Sequence, residues 1–111
     1  MAESSSPLTG QVQDTIRDCL RCHTACMESA VIAKQKQAAH GNVMLDCSEQ
    51  ALVTAHMLLR DSPLAGYACQ ACSSACAHCA DVANRIGDTD CANACRACEN
   101  ACTQLVKMVP F

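Results

Sequence analysis

A chain of 111 residues allows one small domain with one core, and a formal net charge of −3 with no basic stripe gives nucleic acid nothing to hold. Tyr67 and Phe111 are its only aromatic residues, so stacking surfaces for bases are missing too. No run of about 18 apolar residues is available to span a membrane.

The first ten residues, MAESSSPLTG, have neither a basic n-region nor an apolar h-region. The expected compartment is therefore the cytosol, and residues 1–8 are expected to form a flexible segment. Ser6-Pro7 reads as an N-cap followed by proline at the first helical position, and a first helix is expected over about 9–39. At 100° per residue its Cys19, Cys22 and Cys26 fall within about 60° of arc. Gly41 suits the C′ position of this helix, and Asn42 can cap a second one over about 43–60. That helix carries only Cys47, with Ala51, Thr54 and Leu58 continuing its face. Asp61-Ser62-Pro63 ends the second helix and starts a third, over about 63–86. Its segment ACQACSSACAHC places Cys69, Cys72, Cys76 and Cys79 within about 80°. Gly87 closes it, and Asp88 caps a fourth helix over about 88–108, with Asp90 favoured in the first turn by the helix dipole. There CANACRACENAC holds Cys91, Cys95, Cys98 and Cys102 within about 60°. Connections of two or three residues make sequential helices antiparallel neighbours. The expected fold is all-α, an up-down-up-down antiparallel four-helix bundle over 9–108 with a cysteine-lined core.

Leu, Ile, Val and Phe together number only 19, equalled by alanine alone, and cysteine adds 12. Such a core buries little area per residue. Twelve cysteines would suit a disulfide scaffold, but bonds at i,i+3 or i,i+4 close tiny loops and restrict the unfolded chain little. The cytosol also keeps thiols reduced. One or two buried cysteines are simply small hydrophobes. Eleven on three helical stripes, where leucine would pack better, point to metal. Monovalent copper can be held by two or three bridging thiolates, and one Cu(I) per thiolate leaves the core close to neutral. Three four-coordinate zinc ions would leave half the thiolate charge buried and uncompensated, which is expensive. Soft thiolates also select Cu(I). An iron–sulfur cluster needs room that tight helical seams do not offer.

CLRCHTAC, LDCSEQAL, the DSP turn, ACQACSSACAHC and CANACRACENAC resemble, in order and spacing, the cytosolic branch of the bacterial copper storage proteins. The resemblance covers residues 9–108. It implies a four-helix bundle that stores multiple Cu(I) ions along its core, with all twelve cysteines as ligands, assembled as a homotetramer. The chain departs from richer members in its single cysteine on the second helix. It also has no cysteine on the first helix outside Cys19–Cys26, and no histidine in the GDTD turn.

The two bundle ends differ. Val12, Ile16, Leu58, Leu105 and Val109 are expected to plug one. The other gathers Ala33, Gln37, His40, Met44, Asp88, Asp90 and Cys91, and copper is expected to pass there from His40 and Met44 to Cys47 and Cys91. His23 lies about 40° from Cys19 on the wheel, so it is a candidate peripheral ligand, with ordinary packing as the alternative. His56 and His78 point away from their helices' cysteines, toward solvent, and Met57 and Met108 are expected to pack. No acid–base pair, phosphate loop or open three-ligand site is present, so no catalysis is expected. The reading is Cu(I) storage and detoxification, served by a copper chaperone. A zinc or mixed-metal thiolate buffer and an iron–sulfur electron carrier are the alternatives.

Overall fold

The structure, a computed structural model, describes residues 7–109. Four helices follow in order: α1 (Pro7–Gln35), α2 (Gly41–Leu59), α3 (Ala65–Arg85) and α4 (Thr89–Met108). α1 and α3 each pack against both α2 and α4, giving a square antiparallel bundle with extents of 49 × 22 × 22 Å. α1 opens on Pro7, so Pro7 and Leu8 are helical, whereas the expected Ser6 cap and residues 1–6 of the expected flexible segment lie outside the described residues.

The three turns share one device. Gln37, Asp61 and Gly87 have φ of 55°, 54° and 78°. Each donates its N–H three residues back, to Lys34, Leu58 and Asn84. The next residue donates five back, from Ala38 to Ala33, Ser62 to Met57 and Asp88 to Ala83. This is the Schellman motif, which satisfies carbonyls that the helix end leaves open. The expectations for the first turn are corrected accordingly. α1 ends at Gln35 because Gln37, not Gly41, takes the left-handed position. Gly41 instead begins α2, where a Cβ would stand 3.0 Å from the Ala33 Cβ, so its lack of a side chain permits the close approach of α1 and α2. Asn42 lies inside α2, whose N-cap is His40 without a side-chain cap bond. Ser62 and Pro63 occupy a turn in which Ser62 Oγ accepts from the Leu64 N–H at 3.1 Å, which delays α3 to Ala65. Asp88 caps α4 as expected, its Oδ1 accepting from the Cys91 N–H at 3.2 Å.

Two buried threonines lock the helices near the apolar end. Thr15 donates to the carbonyls of Gln11 at 2.7 Å and, on α4, Ala101 at 3.3 Å. Thr54 repeats this toward Gln50 at 2.8 Å and, on α3, Ala68 at 3.2 Å. Leu58 and Leu105 are buried at that end, and Val12, Ile16 and Val109 pack against them. Met57 also packs on the core, but Met108 does not: it is 42% exposed.

Candidate metal centre

The cysteine stripes converge because α1, α3 and α4 repeat them at helical spacing, and α3 and α4 set an alanine beside every cysteine, which lets the backbones approach. All twelve cysteines are free thiols, and none is more than 1% exposed. Four sets have every Sγ within 4.8 Å of the others. From the apolar end they are Cys19, Cys72, Cys98 and Cys102; then Cys22, Cys76 and Cys98; then Cys22, Cys26, Cys47 and Cys95; and last Cys26, Cys79, Cys91 and Cys95. Consecutive sets share sulfur, first Cys98, then Cys22, then both Cys26 and Cys95. The result is one continuous ladder. Cys69 stands outside the four sets, hydrogen-bonded to Cys102.

Sulfur separations run from 3.5 Å for Cys26 and Cys95, through 3.6 Å for Cys72 and Cys98, to 3.8 Å for Cys26 and Cys91. A four-coordinate ion with metal–sulfur bonds of about 2.3 Å holds its thiolates about 3.8 Å apart, so metal fits with little rearrangement. The thiols also divide into acceptors and donors. Cys22, Cys72 and Cys98 are pushed below the ordinary thiol range, chiefly by bonds from Cys26, Cys102 and Cys102 respectively. Cys26, Cys47 and Cys76 are pushed up, chiefly by their bonds to Cys22, and Cys102 by its bond to Cys19. Cys22 is thus the hub of the ladder, its sulfur 3.9, 3.8, 3.7 and 3.9 Å from those of Cys26, Cys47, Cys76 and Cys95.

Met44 is fully buried and closes the ladder at the end opposite the leucines. Its Sδ accepts from Cys79 Sγ at 3.2 Å and Cys91 Sγ at 3.7 Å. His40 is half-buried at the start of α2. A cleft of about 530 Å³ between α1 and the start of α4 reaches Cys91 past Glu28, Ser29, Asp88 and Asp90. The Ser29 hydroxyl donates to the Asp88 carboxylate there. A smaller cleft of about 220 Å³ between α2 and α3 reaches Cys47 between Asp46 and His78. His56 and His78 are exposed. The structure brings His23 to Ser48 of α2 rather than to a thiol, with Nδ1 2.8 Å from Ser48 Oγ.

Sequence reasoning missed Ser48, Thr15 and the depth of Met44. A signal existed for the threonines: Gln-x-x-x-Thr occurs at Gln11–Thr15 and again at Gln50–Thr54, with each glutamine Nε2 donating to its threonine Oγ1 at 3.2 Å. Ser48 and Met44 carried no such mark.

Among the described residues no helix is long and apolar enough to cross a membrane. A family model described as Csp, copper storage protein, matches residues 1–107. The crystal structure of the Nmul_A1745 protein from Nitrosospira multiformis superposes with a TM-score of 0.82 at 21% identity, covering 90% of this chain and 98% of that one. That likeness establishes the fold. No curated protein gives a significant match.

Proposed function

The chain belongs to the copper storage protein family, and on that footing we propose that it stores and detoxifies copper as Cu(I), binding multiple ions to its twelve cysteine thiolates in the cytosol without catalysing a reaction. The observation that carries the reading is the sharing of sulfur between consecutive sets. Thiolates that must serve two neighbours suit a low-coordinate monovalent ion that accepts bridging sulfur, and one charge per thiolate neutralises a buried ladder.

Ligation by Cys19, Cys22, Cys26, Cys47, Cys69, Cys72, Cys76, Cys79, Cys91, Cys95, Cys98 and Cys102 is part of this proposal. So are homotetrameric assembly, implied by the family resemblance, and exchange with a copper chaperone. Copper passes in at the end bearing His40 and Met44. The Met44 thioether already touches two thiols there, whereas the Leu58, Leu105, Val12 and Val109 side chains that plug the opposite end offer no donor atoms.

A zinc or mixed-metal buffer is the second reading, favoured by the three sets of four thiols at tetrahedral separations. An iron–sulfur electron carrier is disfavoured, since sulfurs in mutual contact leave no space for inorganic sulfide between them. The test is anaerobic incubation of reduced protein with equal concentrations of Cu(I) and Zn(II), then elemental analysis after desalting. Copper should occupy the protein almost alone. Retained zinc at several ions per chain would favour the buffer, and a visible absorption band on iron and sulfide addition would favour the cluster.

A further inference from the structure

His23 is held in one tautomer by Ser48. The Ser48 hydroxyl donates its hydrogen to the His23 carbonyl oxygen at 2.9 Å. It has none left for the ring, so the ring Nδ1 must be the donor, 2.8 Å from Ser48 Oγ and 3.0 Å from the Ser48 carbonyl oxygen. In the neutral imidazole Nε2 then carries the free lone pair. A nitrogen that donates to a backbone oxygen while its partner stays open is how proteins orient histidine ligands.

Met27 follows one helical turn later, at i+4, where side chains on one helix face meet. Both residues are half-buried, and both line a groove of about 530 Å³ with Thr24, Glu28 and Val31. Directly beneath, Cys22 and Cys47, the sequence neighbours of His23 and Ser48, hold their sulfurs 3.8 Å apart. The α1–α2 seam therefore has an inner thiol layer and an outer layer of imidazole and hydroxyl.

We propose that His23 Nε2 and Met27 Sδ form a second class of site for a soft monovalent cation, Cu(I), outside the thiol ladder. The proposal rests on the copper reading above. Both donors are neutral, so an ion here keeps its single charge, offset by the Glu28 carboxylate on the same groove. Neutral donors bind Cu(I) more weakly than bridging thiolates. This site fills last and empties first, which makes it the exchangeable fraction of the load.

The test is nuclear magnetic resonance of the full chain with ¹⁵N-labelled histidine, titrated under nitrogen with Cu(I) as its acetonitrile complex. Cu(I) is diamagnetic, so the ring resonances persist. Once the thiols are saturated, the next ion should shift His23 Nε2 while Nδ1 stays protonated and His56 and His78 stay in place. Met27→Leu should lower the affinity of that ion, read by chelator competition, by about tenfold or more, and His23→Gln should abolish it. If the thiols load but His23 Nε2 does not move, whether or not another histidine does, this site is refuted and the copper reading stands. If the thiols take up no Cu(I), the copper reading falls and this site with it.

Discussion

Cys26 and Cys69 occupy opposite extremes of the sulfur ladder. Cys26 belongs to two sets and touches the sulfurs of Cys22, Cys79, Cys91 and Cys95, whereas Cys69 belongs to none. Cys26→Ala should therefore remove roughly two Cu(I) ions from the saturated load and Cys69→Ala at most about one, counted by elemental analysis, because a bridging thiolate serves two ions. Equal losses would mean that sulfur is not shared. At the proposed access end, Met44→Leu with His40→Ala should slow uptake from a weak Cu(I) donor and leave the final load nearly unchanged. Equal rates for variant and parent, with faster uptake in Leu105→Ala, would place the door at the other end. The inward direction of all twelve cysteines was legible from wheel angles alone. The partner of His23 and the depth of Met44 were not. An angle on one wheel says which way a side chain leaves its own helix, but not which residue of the neighbouring helix it meets.

The helices were legible wherever one residue type has one use. Gly87-Asp88 marked both the left-handed end of α3 and the cap of α4, and both hold. Gly41 misled because glycine has two uses, and here close approach to Ala33 took it rather than the positive φ. The positive φ fell to Gln37, a residue with no preference for that region. Outside glycine the left-handed conformation costs about 1–2 kcal/mol, so Gln37→Gly should stabilise the metal-free bundle by about 1 kcal/mol in chemical denaturation. A neutral or destabilising result would mean that the Gln37 side chain has a role the turn geometry does not account for. Asp88→Ala should act oppositely, costing about 1 kcal/mol through the lost N-cap.

On the scale of the whole molecule, the caps, the threonine bridges and the apolar plug hold the bundle without metal, so the metal-free protein should already be helical by circular dichroism, and copper should raise its melting temperature. The buried thiols set its alkaline limit. Each hydrogen bond lowers one sulfur and raises its partner, so these effects offset along the ladder, while burial raises all ten shifted thiols. Unfolded thiols ionise near about 8.5–9, and Cys19, Cys26, Cys47, Cys76 and Cys102, which the fold pushes up, ionise above that. At these five positions the unfolded chain loses its protons first. Metal-free stability should be intact below about pH 8.5 and fall as pH rises further, seen as a declining melting temperature. A flat profile from pH 7 to 10 would contradict the burial argument.

The central claim is that this ladder is a store filled by shared, monovalent copper, and its direct measure is stoichiometry. Fully reduced protein, titrated under nitrogen with Cu(I) and analysed for metal and protein after desalting, should bind on the order of one ion per cysteine, as charge neutrality in a buried sulfur core requires. Saturation at roughly three or four ions, one for each compact set of thiols, would contradict it and return the ladder to four-coordinate metal chemistry.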